Sequence, residues 1–396
     1  MEKPDPVPNI LLFGGDGART GVPRHLEQLS ETLVGSAALT IVSDRNRGGY
    51  DRIIETGIHH IEIDGMRSCL RPGTMWRGWR GALRVARSQN WDVIWLHARL
   101  PALMLRMALA LRLLRPSPQT RIAMTYHGIP FDPGHRRLAA VVSRWLERFL
   151  LARCPPMHLV FVSSDMAIRL RNVVGETRMM RHITHVLPNS SNLGKLPLPR
   201  HGRNQRQLVI TGRAGYQKNY PLAVRLMDHM PPEYSLTLCG SGTDDPTFQA
   251  RILRQVRPET RARIHFTGSL ADVRPILAEA DGYLLTSRYE GMPIGTIEAF
   301  ECGLPIILGP IEAAPEIITT HPMAMCLPLR DLPRDAVRIT QLIESYVSTR
   351  SDSAARIRAA WRRSYPYDIW QFRARRLVSE VLGSFRTDAE RQKPAP

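Results

Sequence analysis

Two consecutive doubly wound α/β domains are predicted for this chain of 396 residues. Three observations predict them. Short apolar runs alternate with helical patterns along nearly the whole length, the pattern of parallel sheets covered on both faces. A polar, loop-like stretch, PNSSNLGKLPLPRHGRNQRQ (188–207), interrupts the alternation once, and the alternation then restarts. The length fits two domains, and each half is long enough to bury its own core.

In the first half the strand-like runs are NILLF (9–13), ALTIVSD (38–44), HHIEID (59–64), WDVIWLH (91–97), TRIAMTYHG (120–128) and HLVFVSS (158–164). The first run ends in a glycine-rich turn, GGDGARTG (14–21), which leads into the helical pattern VPRHLEQLSETL (22–33). In the second half the runs are LVITG (208–212), YSLTLCG (234–240), RIHFTG (263–268), GYLLTS (282–287), LPIILG (304–309) and MAMCLPL (323–329). The stretch WRRSYPYDIWQFRARRLVSEVLGSF (361–385) reads as a closing helix whose aromatic residues serve packing. The expected domains are therefore 1–195 and 206–365, followed by a closing helix 366–386 and a disordered tail 387–396.

At 43% hydrophobic and 23% charged, the composition excludes wholesale disorder. Five cysteines (69, 154, 239, 302 and 326) never fall in a CxxC spacing, which excludes a disulfide framework and a thiolate zinc site and fits a reducing compartment. The N-terminus lacks the basic and apolar regions of a signal peptide. No apolar window is long enough for a membrane-spanning helix.

The net charge of +18 is uneven: residues 65–153 hold 16 basic residues, all Arg, against Asp92, Asp132 and Glu147. There Arg alternates with large apolar residues at helical spacing, as in MWRGWRGALRVARSQNW (75–91), LPALMLRMALALRLLRP (100–116) and HRRLAAVVSRWLERFLLARC (135–154). Basic amphipathic helices with Trp and Leu are suited to an anionic membrane surface. Nucleic acid is the rival anionic partner, but no RNA- or DNA-binding signature is present, and no nucleic-acid partner is expected. A solvated helix face is the remaining reading.

Four motifs carry chemistry. In SRYEGMPIGTIEAFECGLPIILG (287–309), Glu290 lies in a tight loop and Glu298 eight residues on, in the first turn of a helix expected to begin near Thr296. A carboxylate there can take two sugar hydroxyls while the amides of residues 295–297 take phosphate. In LVITGRAGYQKNYPLAVRLM (208–227), Arg213 and Lys218 follow a strand end, two cations suited to a diphosphate. Arg supplies 50 of the 54 basic residues, so Lys218 stands out as a compact ammonium. The third motif is the turn at Thr20–Gly21, the fourth His127–Gly128 at a strand end. No metal site is expected: HExxH is absent, and His59–His60 and His182–His185 have no obvious carboxylate companion.

These motifs, in this order, resemble the GT-B glycosyltransferases of the large retaining family 4, and the resemblance covers almost the whole chain. Glu290 and Glu298 match its E-x7-E motif. GRAGYQKN (212–219) looks like its diphosphate loop, CGSG (239–242) like its GxG turn, and TGVPRHLEQLSETL (20–33) like its GGVxxHLxxLAxxL opening, with Thr20 replacing the first Gly. LPNSSN (187–192) departs from the usual IPNGVD.

The resemblance implies two Rossmann-like domains facing a cleft, with the C-terminal helix packing back on the N-terminal domain. It implies a donor that is a nucleoside-diphosphate sugar, UDP- or GDP-linked, with no other cofactor. Arg213, Lys218 and the Gly21 amide would hold the diphosphate, and Glu298 the ribose. Glu290, helped by Gly295, Thr296 and Ile297, would hold the transferred sugar. His127 would orient that sugar, and Leu270 would pack on the base. With no DxD sequence, Arg and Lys would replace a metal. The expected acceptor is a glycan or lipid-linked intermediate of bacterial polysaccharide or glycolipid assembly, at the cytoplasmic face of the membrane. The rivals are a dinucleotide-dependent enzyme using GGDGARTG and Asp44, a non-catalytic adaptor, and a nucleotide-sugar epimerase or hydrolase.

Overall fold

A computed structural model describes residues 7–67, 71–131, 137–197 and 205–391. Cys69 lies outside the described residues, as do residues 392–396 of the expected tail; the last helix, Tyr367–Arg391, runs past residue 387. The chain divides into two compact units. The first is drawn from Met1–Pro130, Leu138–Pro188 and Trp370–Pro396, the second from Phe131–Arg137 and Asn189–Ile369.

The first unit is built on seven parallel strands: β1 (Asn9–Phe13), β2 (Ala38–Ser43), β3 (His59–Glu62), β4 (Val93–Leu96), β5 (Arg121–Tyr126), β6 (His158–Phe161) and β7 (Ile183–Val186). Their order is β3-β2-β1-β4-β5-β6-β7. Central β1 pairs Leu11 with Thr40 on one side and with Ile94 on the other. Ile10, Leu11, Leu12 and Phe13 are fully buried, as expected for a strand covered on both faces. The edge strand β7 (ITHV) was not expected from the sequence. Its ends are exposed, so it lacks the continuous apolar signal of the inner strands.

The second unit repeats the design with β8 (Arg206–Thr211), β9 (Tyr234–Cys239), β10 (Ile264–Gly268), β11 (Gly282–Leu285), β12 (Ile306–Leu308) and β13 (Ala324–Cys326), ordered β10-β9-β8-β11-β12-β13. Its core joins Leu208, Ile210, Leu236, Leu238, Leu284 and Ile307 from four strands. In both sheets the strand order reverses once, between β1 and β4 and between β8 and β11. Loops leaving the carboxyl ends of such a pair diverge to opposite sides and open a crevice between them.

The aromatic-rich stretch 361–385 spans the end of one helix, Arg350–Ser364, and most of a second, Tyr367–Arg391, which takes the place expected for the closing helix at 366–386. Pro366 stands between them, and proline both lacks an amide donor and disfavours helix in the residue before it. From Trp370 on, the second helix belongs to the first unit. Trp370 packs edge-on against His25, and Arg375 Nε donates to Thr32 O at 3.3 Å.

One charged group is buried whole in the first unit. Arg106 presents a two-pronged donor to Glu147, at 2.9 and 2.8 Å, and Tyr126 Oη donates to Glu147 Oε2 at 3.0 Å. The network ties the helices Arg99–Ala110 and Arg137–Arg153 to the last residue of β5. Removing one partner strands the other charge away from water. Glu147→Ala is therefore expected to cost about 3–5 kcal/mol, whereas Arg106→Met with Glu147→Leu should come close to wild type; urea unfolding midpoints measure both.

Candidate functional site

In the second unit the chemistry gathers at the reversal point. Just past β8, Gly212 has a φ of +148°, and an added Cβ there would fall against the Lys218 stem. Tyr220 Oη donates to Gly212 O. The loop that follows carries Arg213, exposed, and turns back through Asn219, which sits in the left-handed region at the cap of the helix Tyr220–Met227. The loop after β11 carries Glu290.

The two loops are stitched together. Arg288 N and Arg288 Nε donate to Gln217 O at 2.8 Å and Tyr216 O at 3.2 Å, and Arg288 Nη2 donates to Asn219 Oδ1 at 2.8 Å. The Arg288 guanidinium also lies 4.5 Å over the Tyr216 ring. Gln217 Nε2 donates to Tyr289 O at 3.1 Å, and Thr286 Oγ1 to Lys218 O at 3.0 Å.

The result is an ion pair, Lys218 Nζ to Glu290 Oε1, at 2.8 Å. Ser287 Oγ donates to the same carboxylate oxygen at 3.0 Å, and Glu290 N donates to Glu312 Oε2 at 2.7 Å. Burial alone would lower the Lys218 ammonium, but Glu290 and then Tyr283 outweigh it and hold it above its ordinary value. Lys218 is thus a fixed cation at any physiological pH. Sequence reading found Lys218 and Glu290 but not Ser287, Arg288, Gln217 or Glu312. A carboxylate in the loop four residues past a buried strand, in LGPIEAAPE, was the available signal for Glu312.

The helix carrying Glu298 differs from expectation. It spans Ile294–Cys302 and starts two residues before Thr296, with Pro293 as its cap. Glu298 therefore sits in the second turn, not the first, and is 3% exposed. The amides of Thr296 and Ile297 both point to Pro293 O, at 3.1 and 3.3 Å, rather than standing open. The buried Thr296 hydroxyl has no hydrogen-bond partner. Gly295 lets the helix start against the end of the sheet: an added Cβ would overlap Thr211 Oγ1 and approach Tyr283 Oη to 2.6 Å. Leu270 is half-buried in the loop after β10. The unusual LPNSSN segment is put to structural use, with Asn189 Nδ2 donating to Met292 O at 2.7 Å and Ser191 Oγ to Ile297 O at 3.3 Å.

In the first unit Gly21 opens the helix Gly21–Leu33, and an added Cβ would meet nothing within 4 Å. His127 follows β5 directly. Burial first, and then His25, holds His127 well below the ordinary imidazole range, so it is neutral. His25 and His97 stand beside it, and neither was singled out from the sequence, although WDVIWLH ends in histidine just as TRIAMTYH does. His182 is structural: Nδ1 accepts from Met157 N and Nε2 faces Leu151 O. His60 faces Ser43 Oγ at 2.9 Å, and His185 faces His158 at 3.0 Å. Asp245 caps the helix Pro246–Leu253 through Phe248 N at 2.8 Å. Asp44 accepts from the amides of Arg45, Gly65 and Arg67 at 3.0–3.1 Å, which engages the carboxylate a dinucleotide site would need.

A family model described as Glycosyltransferase Family 4 matches residues 19–193, and one described as Glycosyl transferases group 1 matches residues 205–345. Together they span most of the chain in the order of the two units. The chain belongs to the group 1 glycosyltransferases. This group 1 glycosyltransferase is 23% identical over 245 residues to an Escherichia coli UDP-Gal:alpha-D-GlcNAc-diphosphoundecaprenol alpha-1,3-galactosyltransferase, covering 58% of this chain and 60% of that one. It is 25% identical over 182 residues to one subunit of the human phosphatidylinositol N-acetylglucosaminyltransferase, covering 44% and 36%. It thus spans less than two thirds of either relative. Among solved structures, sucrose-phosphate synthase from Thermosynechococcus elongatus superposes with a TM-score of 0.76 at 15% identity, covering 95% of this chain and all of that one. Anabaena HepE in complex with UDP and glucose superposes with a TM-score of 0.71 at 13% identity, covering 95% and 99%. The fold is GT-B.

The Glu298 helix is buttressed by a titratable group. His321 packs 4.2 Å from the Phe300 ring, its Nε2 faces Leu304 O at 3.0 Å, and its Nδ1 accepts from Met323 N at 3.0 Å. Burial pushes His321 down to about 4. The unfolded chain therefore takes the proton first, so this contribution is complete above about pH 6.5 and is lost as pH falls toward 4. Stability is expected to drop by about 1.4 kcal/mol per pH unit per such histidine across that window, and His321→Gln to flatten the slope, as read from melting temperature against pH.

Proposed function

We propose that the chain transfers a sugar from a nucleoside-diphosphate sugar to a hydroxyl of a glycan or lipid-linked acceptor, with retention of anomeric configuration and without a metal. The observation that carries this reading is the Lys218–Glu290 pair, held between two stitched loops at the strand-order reversal of the second unit. Ligands of open α/β sheets bind at that place. A half-buried ammonium next to a strand end suits a diphosphate, and a carboxylate next to it suits sugar hydroxyls.

In the reaction the bond from the anomeric carbon to the diphosphate oxygen breaks, and the acceptor oxygen bonds to that carbon. The departing diphosphate gains negative charge while the sugar ring becomes cationic. Lys218 and Arg213 are fixed cations for the first, which lowers the barrier without a metal. Glu290, paired to Lys218 and positioned by Glu312, aligns the sugar. A leaving-phosphate oxygen takes the proton from the acceptor hydroxyl on the same face, which gives retention with no protein nucleophile. Neutral His127 orients a sugar hydroxyl. Glu298 is assigned the ribose, which requires the donor to reach a side chain now nearly buried. UDP is favoured over GDP as carrier, since the Anabaena neighbour holds UDP and the E. coli relative is named for UDP-galactose.

The acceptor is proposed to lie at an anionic membrane surface, on its cytoplasmic face. The E. coli relative is named for a diphosphoundecaprenol acceptor. Among the described residues no helix is long and apolar enough to cross a membrane. The helix Arg137–Arg153 instead turns Leu138, Val141, Val142, Trp145 and Phe149 outward, with Trp145 70% exposed. These residues fall on one helical face, and Arg137, Arg144 and Arg148 flank it. An apolar stripe edged with Arg matches an anionic interface in both hydrophobicity and charge.

Release of nucleoside diphosphate from a panel of nucleotide sugars, with EDTA present, tests the chemistry: one donor is expected to be turned over. Lys218→Ala is expected to lower turnover about 100- to 1000-fold through lost charge stabilisation. Glu298→Ala is expected to weaken donor binding about 10- to 100-fold through lost charged hydrogen bonds. Wild-type activity in both variants would show the assignment to be wrong. Flotation with anionic vesicles at low salt tests the surface: the chain should float, and Leu138→Ser with Trp145→Ser should leave it behind.

A further inference from the structure

Three histidines of the first unit converge from three elements. His25 comes from the helix Gly21–Leu33, His97 from the residue after β4, and His127 from the residue after β5. One ring nitrogen of each lies within 4.8 Å of the others. The ring centres of His25 and His127 are 4.7 Å apart, and those of His25 and His97 5.5 Å. His97 is 2% exposed, and neither of its ring nitrogens has a hydrogen-bond partner; Nε2 of His127 also lacks one. Buried polar atoms are ordinarily partnered. Two imidazoles with unpartnered nitrogens, their ring centres 6.0 Å apart and both beside a third, are a prepared donor set.

We infer that His25, His97 and His127 form a binding site for a transition-metal cation of the Zn2+ kind, held by three imidazole nitrogens with the fourth position open. Zinc–nitrogen bonds of about 2.0–2.1 Å in tetrahedral geometry set the nitrogens about 3.3 Å apart, so the rings close inward from a spacing of up to 4.8 Å when the cation binds. Imidazole donors select Zn2+, Co2+, Ni2+ or Cu2+ and not Mg2+ or Ca2+. The ligands stand on a helix and directly past the ends of two neighbouring strands, and His97 is braced by stacking on Trp95 at 5.2 Å. One consequence rests on the proposed transferase reading: His127 cannot hold a cation and orient a sugar at once, so Zn2+ inhibits turnover.

The test is a Co2+ titration of the chelator-stripped full chain, read by visible absorption, followed by displacement with Zn2+. One equivalent with a tetrahedral spectrum is expected. His97→Phe, which keeps the stack on Trp95, is expected to lower affinity by at least about 100-fold with an unchanged circular dichroism spectrum and melting temperature. No tetrahedral spectrum, or a titration unchanged in both His97→Phe and His25→Phe, overturns the site. The titration needs no donor turnover, so it reads the metal site even if the transferase reading fails. Where turnover is present, Zn2+ should inhibit wild type and spare His97→Phe.

Discussion

The contact between Lys218 and Glu290 is the constraint on which the second unit's site depends. The two residues belong to loops far apart in the chain, brought together because β8 and β11 are neighbours at the point where strand order reverses. Parallel sheets place all their strand-to-helix loops on one edge, and the reversal sends adjacent loops apart. Here the divergence is countered by Arg288, Gln217 and Thr286, which bond the loops to each other through backbone carbonyls and a capping asparagine. The half-buried ammonium is held as a cation by a carboxylate 2.8 Å away. Glu290 keeps Lys218 ionised, and Glu312 fixes the backbone beneath that carboxylate.

The first unit solves a different problem. The helix Arg137–Arg153 holds Glu147 inward against Arg106 and holds an apolar stripe outward. An isolated helix with that stripe would bury it in the core. The buried ion pair fixes the helix's rotation, because only one rotation lets Glu147 meet both guanidinium donors and Tyr126. A polar contact thereby decides which face of an amphipathic helix meets solvent. Buried ion pairs add little net stability, and here the pair sets orientation instead.

The alternating pattern and the twelve apolar runs were legible because inner strands of a doubly wound sheet are apolar on both faces. Edge strand β7 was not, since ITHV has no such signature. The E-x7-E and diphosphate-loop motifs were legible because their local spacing is part of the chemistry. The start of the Glu298 helix was misplaced by two residues, because Pro293 can act as a cap and the sequence alone did not rank it above the glycine that follows. Ser287, Arg288 and Glu312 were missed because their roles lie in contacts to other loops. His25 and His97 were missed for the same reason: each is a single histidine until three elements bring it to His127.

By itself the sequence determined the class of fold, the order of its two halves, the family and the short loops that carry charge. These follow from periodicity and local spacing, which are properties of neighbours in the chain. Only the tertiary structure decided that Lys218 is paired to Glu290, that Asp44 is engaged by backbone amides, which face of Arg137–Arg153 is turned outward, and that three histidines meet. Those outcomes depend on strand order and on burial, which set the distance between residues remote in sequence and the cost of leaving their polar groups without partners.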